Sequence, residues 1–294
     1  MESRAPWERA LRHVGARAFG GPLAPGLRVT MNFHPDRLVR GAPVLARLAE
    51  DGVYYSQFVT GVGNGGLTAR PGGDRWRWES RIFGGAYDRC APRERPVYGA
   101  LNHRHSAVGG APRFGSSHFR LTSAALERAT FCYPDSSAEP TSFGVAARCS
   151  LIEQAEADGL DALDGHVEAQ IHGPVLLDRD VEALVLDPSF RGTEVEAAAD
   201  RLPCPVRWHD GFRLDVARLR LHPEYRGPRY VELGAAIAVA GRLDPRAIGV
   251  AARSGGHDPQ ALKKVWHCLA RFGAPDDRPA APADGCRLPG PRGR

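Results

Sequence analysis

The chain has 294 residues, 43% hydrophobic and 25% charged, values close to those of soluble globular proteins, which argues against a disordered or membrane-embedded class. Its net charge of +5 comes almost entirely from arginine, lysine occurring only at Lys263 and Lys264. The arginines alternate with acids instead of forming a basic arm, so a nucleic-acid polyanion is allowed but not implied, while a small anionic or nucleotide ligand suits the planar fork of arginine. No apolar run approaches the length of a membrane span, and the opening MESRAPWERALRHV lacks the apolar centre of a secretory signal, so the expectation is cytoplasmic residence without a membrane partner.

Pro6, Trp7, Leu11, Val14 and Ala18 fall at helical spacing and predict a helix over 6–18. Residues 27–34 alternate apolar and polar and predict a strand ending at His34-Pro35-Asp36-Arg37. A short helix is predicted over 42–50, stopped by Asp51-Gly52, and a strand over 53–60. That strand leads into the most unusual stretch of the chain, 54–89, with its glycine pairs, Gln57, Asn64, two tryptophans and Arg70, Asp74, Arg75, Arg77, Glu79 and Arg81. Glycines beside polar and aromatic groups let a backbone approach a ligand closely, and the stretch reads as one wall of a binding site. The alternative is an irregular surface loop closed by charge pairs.

A helix over 75–87 would carry Trp76, Glu79 and Phe83 until Gly84-Gly85 ends it. Short strands are predicted at 97–102, 118–121 and 126–133, then a helix over 145–157. Residues 166–173, HVEAQIHG, alternate cleanly: Val167, Ala169 and Ile171 share one face, Glu168, Gln170 and His172 the other. That polar face is either a ligand contact or an exposed sheet edge. Apolar runs at 175–177 and 181–186, a helix over 194–202 and a strand over 206–209 follow, then helices over 228–241 and 258–272. The last has the apolar stripe Leu262, Val265, Trp266, Leu269 and Phe272, which makes Trp266 core rather than site. The predicted organisation is a single α+β domain over 1–272, with short strands in a split or two-sheet core and flanking helices. A disordered Pro/Ala/Gly-rich tail is predicted over 273–294.

Six cysteines at 90, 132, 149, 204, 268 and 286 lie far apart, several in apolar runs, and are expected as free thiols. No dinucleotide fingerprint, Walker loop, HExxH helix or GxSxG elbow is present. His103 and His105, and His34 near Asp36, lack a matching cysteine or acidic pair, so no metal site is predicted. Ser117 and His118 would point to opposite faces of a strand and make no nucleophile–base pair. The neighbouring hydroxyl of Ser116 suits either a ligand ribose or turn chemistry.

Segments at 32–37 (NFHPDR), 56–88, 94–102 (ERPVYGALN), 112–121 (PRFGSSHFRL), 130–136 (TFCYPDS) and 166–175 (HVEAQIHGPV) resemble DUF3626, a bacterial family of uncharacterised proteins. Within it the order of a strand-end His or Arg, a middle-strand Ser or Tyr and a late-strand Glu is similar to that of ADP-ribosyltransferases, in which NAD lies in a cleft between two small sheets. That likeness implies NAD as substrate, with catalytic roles for His34, Arg37 and Glu168 and a cofactor-supporting role for Tyr98 or Ser116. Gln57, Asn64, Arg75, Trp76 and Gln170 complete the expected cofactor contacts. The sequence departs from that pattern in lacking Ser-Thr-Ser and in having Glu168-Ala169-Gln170 as its late motif. Two other readings stand beside it: a non-catalytic module binding an anion or nucleic acid through arginine-rich loops at 70–81 and 104–113, and a hydrolase of another ribosyl or phosphate substrate. The acceptor of any ADP-ribosyl group and the oligomeric state are not assigned by sequence. The site is expected to gather 34–37, 57–79, 98–118 and 168–172.

Overall fold

The computed structural model describes residues 5–61 and 67–275. Eight of its strands form one sheet, β1 Val29–Phe33, β2 Val97–Leu101, β3 Ser117–Leu121, β4 Ala129–Tyr133, β5 Ser142–Val145, β6 Val167–Ile171, β7 Val181–Leu186 and β8 Val206–Trp208, and short two-residue strands pair off in small sheets beside it. The spatial order is β8-β7-β3-β1-β2-β6-β4-β5, antiparallel throughout except for the β7–β8 pair. The main helices are α1 Pro6–Gly15, α2 Val44–Asp51, α3 Gln57–Thr60, α4 Asp74–Ile82, α5 Leu151–Ala157, α6 Glu194–Ala199, α7 Pro228–Ile237, α8 Pro245–Arg253 and α9 Pro259–Phe272. The fold class is α+β.

Alternation along each strand gives the sheet two different faces. Val29, Met31 and Phe33 of β1, Phe131 of β4 and Val167, Ala169 and Ile171 of β6 enter the largest core, closed by Leu45 and Leu48 of α2, Leu151 of α5 and Ala199 of α6. The opposite face carries Thr30, Tyr98, His118, Thr130, Glu168 and Gln170. Over β4 and β5 it is covered by a smaller core of Ala10 and Val14 from α1, Trp78 and Ile82 from α4, and Phe83 just after it. A third core joins α7, α8 and α9 to Phe212 and Val108. Trp266 is fully buried there, as its place in the α9 stripe predicts.

The sheet splits at its centre. The ladder between β1 and β2 holds at Val29↔Leu101 and Thr30↔Ala100. Beyond that point β1 stays with β3 as far as Phe33↔Ser117, and β2 stays with β6 as far as Val97↔Ile171. Gly99 explains the crossing: a Cβ there would lie 2.6 Å from the Thr30 carbonyl oxygen, so only glycine lets the two backbones pass this closely before they part.

Several predicted elements differ in kind. Residues 53–60 are not one strand: Val53–Tyr54 pairs with Val175–Leu176, and Gln57–Thr60 forms a helical turn closed by Gly61 in the left-handed region. Val145 ends a strand paired to Thr130 instead of starting a helix, which begins only at Leu151. The 126–133 segment begins with the end of a helical turn, Ala124–Glu127, before β4. The helix expected over 75–87 stops at Ile82, ahead of Gly84 and Gly85, both at positive φ. Cys90, Cys132, Cys149, Cys204 and Cys268 are free thiols. Asn64, Cys286 and the tail from 276 lie outside the described residues. Among the described residues no helix is long and apolar enough to cross a membrane.

Candidate functional site

A cavity of about 380 Å³ occupies the gap where β1 and β2 separate, and its wall includes His34, Arg37, Gln57, Arg75, Tyr98 and Glu168. All four segments expected to form the site contribute to this wall. Arg40, Arg47 and Arg93 add further positive charge. The volume lies in the range of sites that enclose small ligands.

His34 follows the last residue of β1 and meets the edge of the Trp266 ring at 4.9 Å between centroids. Burial, reinforced by Arg37, pulls its pKa down to about 4, so the imidazole is neutral near pH 7. Two residues on, Asp36 pairs with Arg253 of α8 at 2.7 Å. Gly249 makes that approach possible, since a Cβ at this position would lie 1.5 Å from an Asp36 carboxylate oxygen. The C-terminal helices therefore hold the loop that carries His34.

On the other side of the gap Tyr98 donates its hydroxyl to Glu79 at 2.8 Å, and the Arg75 guanidinium lies 4.1 Å over its ring. Glu79 also accepts from Arg95 at 2.6 Å, and all of this pair is buried. Burial raises the Glu79 carboxyl to about 7, against the opposing pull of Arg95 and the Tyr98 hydroxyl.

Glu168 points from β6 into the same cavity. It is buried in the sheet interior, not on an exposed edge. One carboxylate oxygen accepts from the Ser136 backbone N–H at 3.2 Å and from the Ser136 hydroxyl at 2.8 Å; the other accepts from the Gln170 amide at 3.0 Å. Arg75 donates to the Ser136 hydroxyl at 2.8 Å and stands 3.9 Å from Glu168. Every contact offers a donor to a carboxylate oxygen, which fixes the orientation of the Glu168 side chain.

Gln170 is itself held by a chain whose direction can be worked out. Thr130 donates to the Gln170 carbonyl at 2.8 Å, so its oxygen must accept from His172 Nε2, 3.0 Å away. His172 Nδ1 is then the acceptor for the Tyr87 hydroxyl at 2.7 Å. The neutral state this requires matches the burial that pulls His172 down to about 3. Tyr87, His172, Thr130 and Gln170 thus all donate toward Glu168, fixing the amide so that its N–H₂ faces the carboxylate.

Trp76, Ser116 and Gln170 are not part of the cavity wall. On α4 the residues turned inward are Arg75, Trp78 and Glu79, and Trp76 stands about 100° around the helix from Arg75. Ser116 is buried ahead of β3, where its carbonyl accepts from His209 at 2.8 Å, and Gln170 stands behind Glu168. Among the alternatives for the middle group, Tyr98 is the one at the cavity. Ser136, Glu79 and Arg95 were not assigned roles from sequence. Glu79 lies in the unusual stretch 54–89 and Ser136 at the end of the 130–136 segment, but what they touch depends on chain pairing that no local pattern reveals. Among the described residues no group of three His, Cys, Asp or Glu side chains is placed to hold a metal.

The family model for DUF3626, described as a protein of unknown function, matches residues 28–155 and 145–272. The chain belongs to this family. A search of curated proteins finds no match to it. Membership covers both halves of the split sheet and the helices that hold His34, so the cavity lies within what defines DUF3626.

Proposed function

We propose that this DUF3626 protein cleaves the nicotinamide–ribose bond of NAD, as an ADP-ribosyltransferase or NAD glycohydrolase. The observation that carries the reading is the meeting of strand-end His34, middle-strand Tyr98 and late-strand Glu168 around one cavity at a split in the sheet. Departure of nicotinamide leaves positive charge on the ribose, and a carboxylate fixed in a water-poor cavity stabilises that charge more strongly as it develops. Glu168, held by Ser136 and Gln170, supplies such a carboxylate. The guanidinium groups of Arg37, Arg40, Arg47 and Arg93 suit a pyrophosphate. The neutral imidazole of His34 suits a ribose hydroxyl or phosphate oxygen without adding charge.

The excess of arginine also favours a second reading, a module that binds an anion without turning it over: the cavity wall holds five arginines and two acids, Asp51 and Glu168, with Arg47 paired to Glu50 beside it at 3.6 Å. The loop arginines fit that reading less well, since Arg75 is buried and Arg113 is paired with Asp164. Nicotinamide release on incubation with NAD separates the two. On the enzyme reading the wild type releases nicotinamide and Glu168→Gln reduces turnover roughly 100-fold. Binding of NAD without release selects the module, and turnover of a different ribosyl or phosphate ester without NAD selects a hydrolase. The exchange is not structurally silent, because a glutamine amide would set a donor against Ser136 or Gln170 at a cost of about 1–3 kcal/mol. Turnover must therefore be expressed per folded molecule, with the melting temperature measured on the same preparation.

A further inference from the structure

A second cavity, of about 450 Å³, lies away from the split, and its wall includes Arg28, His118, Arg120, Glu182 and Arg207. Its floor is ordered by the sheet itself. His118, Val185 and Arg207 are paired in register across β3, β7 and β8, so their side chains share a face. With neighbouring strands roughly 4.8 Å apart, the backbones at His118 and Arg207 lie on the order of 10 Å from one another. Arg120 stands two residues along β3 from His118, on that same face.

The groups in this cavity are incompletely partnered. Glu182 serves two arginines, Arg28 at 2.9 Å and Arg120 at 3.0 Å. Arg207 makes no ion pair among the described residues, so the wall holds three guanidinium groups and one carboxylate, which serves two of them. His118 is 2% exposed, yet its Nδ1 has no hydrogen-bond partner, and the buried Nε of Arg120 lacks one as well. His209, the neighbouring imidazole, shows the contrast: its Nε2 donates to the Ser116 carbonyl at 2.8 Å and its Nδ1 accepts from the Gly211 N–H at 3.0 Å. A buried nitrogen left unpaired costs folding free energy, and a site whose missing partner is a ligand accounts for it.

We propose that this cavity binds a small phosphate monoester bearing hydroxyl groups, of the size of a pentose phosphate. Arg120 and Arg207 take the phosphate, and His118 takes a hydroxyl. Guanidinium groups on two different strands suit the several oxygens of a phosphate, while an uncharged imidazole recognises a hydroxyl by hydrogen bonding alone. A nucleobase is less well served, because the Trp208 ring already lies under the Arg191 guanidinium at 4.2 Å. The site is separate from the split cavity and does not depend on that cavity taking NAD.

Calorimetric titration of the full chain with ribose 5-phosphate, inorganic phosphate and a single-stranded oligonucleotide tests the proposal. Ribose 5-phosphate is expected to bind saturably and at least 10-fold more tightly than inorganic phosphate. Arg207→Glu, at an exposed position, should weaken both ligands at least 10-fold with an unchanged melting temperature. His118→Gln should weaken ribose 5-phosphate alone, bringing it toward the affinity of inorganic phosphate. Absence of saturable binding overturns the proposal, as does binding that Arg207→Glu leaves intact. Tighter binding of the oligonucleotide shows that the phosphate belongs to a nucleic acid and overturns the small-molecule assignment. Displacement of ribose 5-phosphate by excess NAD overturns the claim of a separate site.

Discussion

Over β4 and β6 the polar face of the sheet is closed: Thr130, Glu168, Gln170 and His172 are buried and hydrogen-bonded to one another or to Tyr87 and Ser136. Over β3, β7 and β8 the same face carries His118 and Arg120 with unpaired nitrogens beside an open cavity. Both stretches alternate polar with apolar residues, and the side-chain types are similar. What separates them is the supply of partners from remote parts of the chain. Tyr87 reaches His172 across 85 residues, and Ser136 reaches Glu168 across 32. A buried polar group with all its partners is fixed in place, as Glu168 is where it meets the split cavity, and one without them keeps a hydrogen bond that a ligand can complete.

The closed half should be the harder to disturb without unfolding. Arg95→Met leaves Glu79 buried beside Tyr98 without its cation, and the expected loss is about 3–5 kcal/mol in denaturant unfolding; a loss below about 1 kcal/mol would show that the pair contributes little. Thr130→Val cuts the chain toward Glu168 and strands both the His172 N–H and the Gln170 carbonyl. Unfolding should show a cost of about 1–3 kcal/mol, with nicotinamide release per folded molecule falling as well. Unchanged release would mean that the direction of the chain has no bearing on Glu168.

Gly249→Ala tests the hold of the C-terminal helices on the His34 loop. The added methyl group displaces the Asp36 carboxylate from Arg253, and overpacking of this kind costs about 1–3 kcal/mol. Nicotinamide release should fall more than it does in Arg253→Ala, which removes the ion pair without crowding the loop. Equal effects would assign the contact to charge alone.

The smallest effects should appear in pH dependence, where the two halves part most clearly. Burial lowers His118 and His172 to about 3 from the ordinary 6.5. Because the unfolded chain binds the proton first, each contributes stability that is complete above pH 6.5 and lost as pH falls toward 3, at up to about 1.4 kcal/mol per pH unit. Glu79, raised to about 7, acts in the opposite sense, its contribution being lost as pH rises toward 7. Comparison of variants therefore carries the test. His118→Asn should flatten the acid limb with little change at pH 7, since its Nδ1 has no bond to lose. His172→Asn should flatten the same limb and also lower stability at pH 7, because it removes the link between Tyr87 and Thr130. Matching behaviour of the two variants would erase the distinction between the halves.

Much of this fold was legible wherever burial on one side imposes a period. The clean alternation of 166–173 placed Glu168, Gln170 and His172 on one face, and the apolar stripe of α9 placed Trp266 in a core. The segment 53–60 misled because so short a run fits either period, and Gly61 closes a helical turn that no apolar pattern announces. The aromatic ring of Trp76 suits a ligand contact, yet helical geometry gives Arg75 and Trp78 the inward positions. The roles of Ser136 and Arg95 depend on which strand lies beside which, and neighbouring residues in sequence carry no record of that. The split itself left one local trace, a glycine within 97–102, whose meaning appears only when β1 passes against it.

That split also gives the sheet an edge in its middle. A strand edge at the border of a sheet offers its backbone donors and acceptors to any passing chain, which makes it a template for aggregation. Where β1 and β2 part, each strand likewise has a side without its sheet neighbour, but the two sides border one cavity instead of the outer rim of the sheet. A small molecule entering the gap meets peptide groups as well as side chains, and the protein gains main-chain recognition without exposing the surface on which fibrils grow.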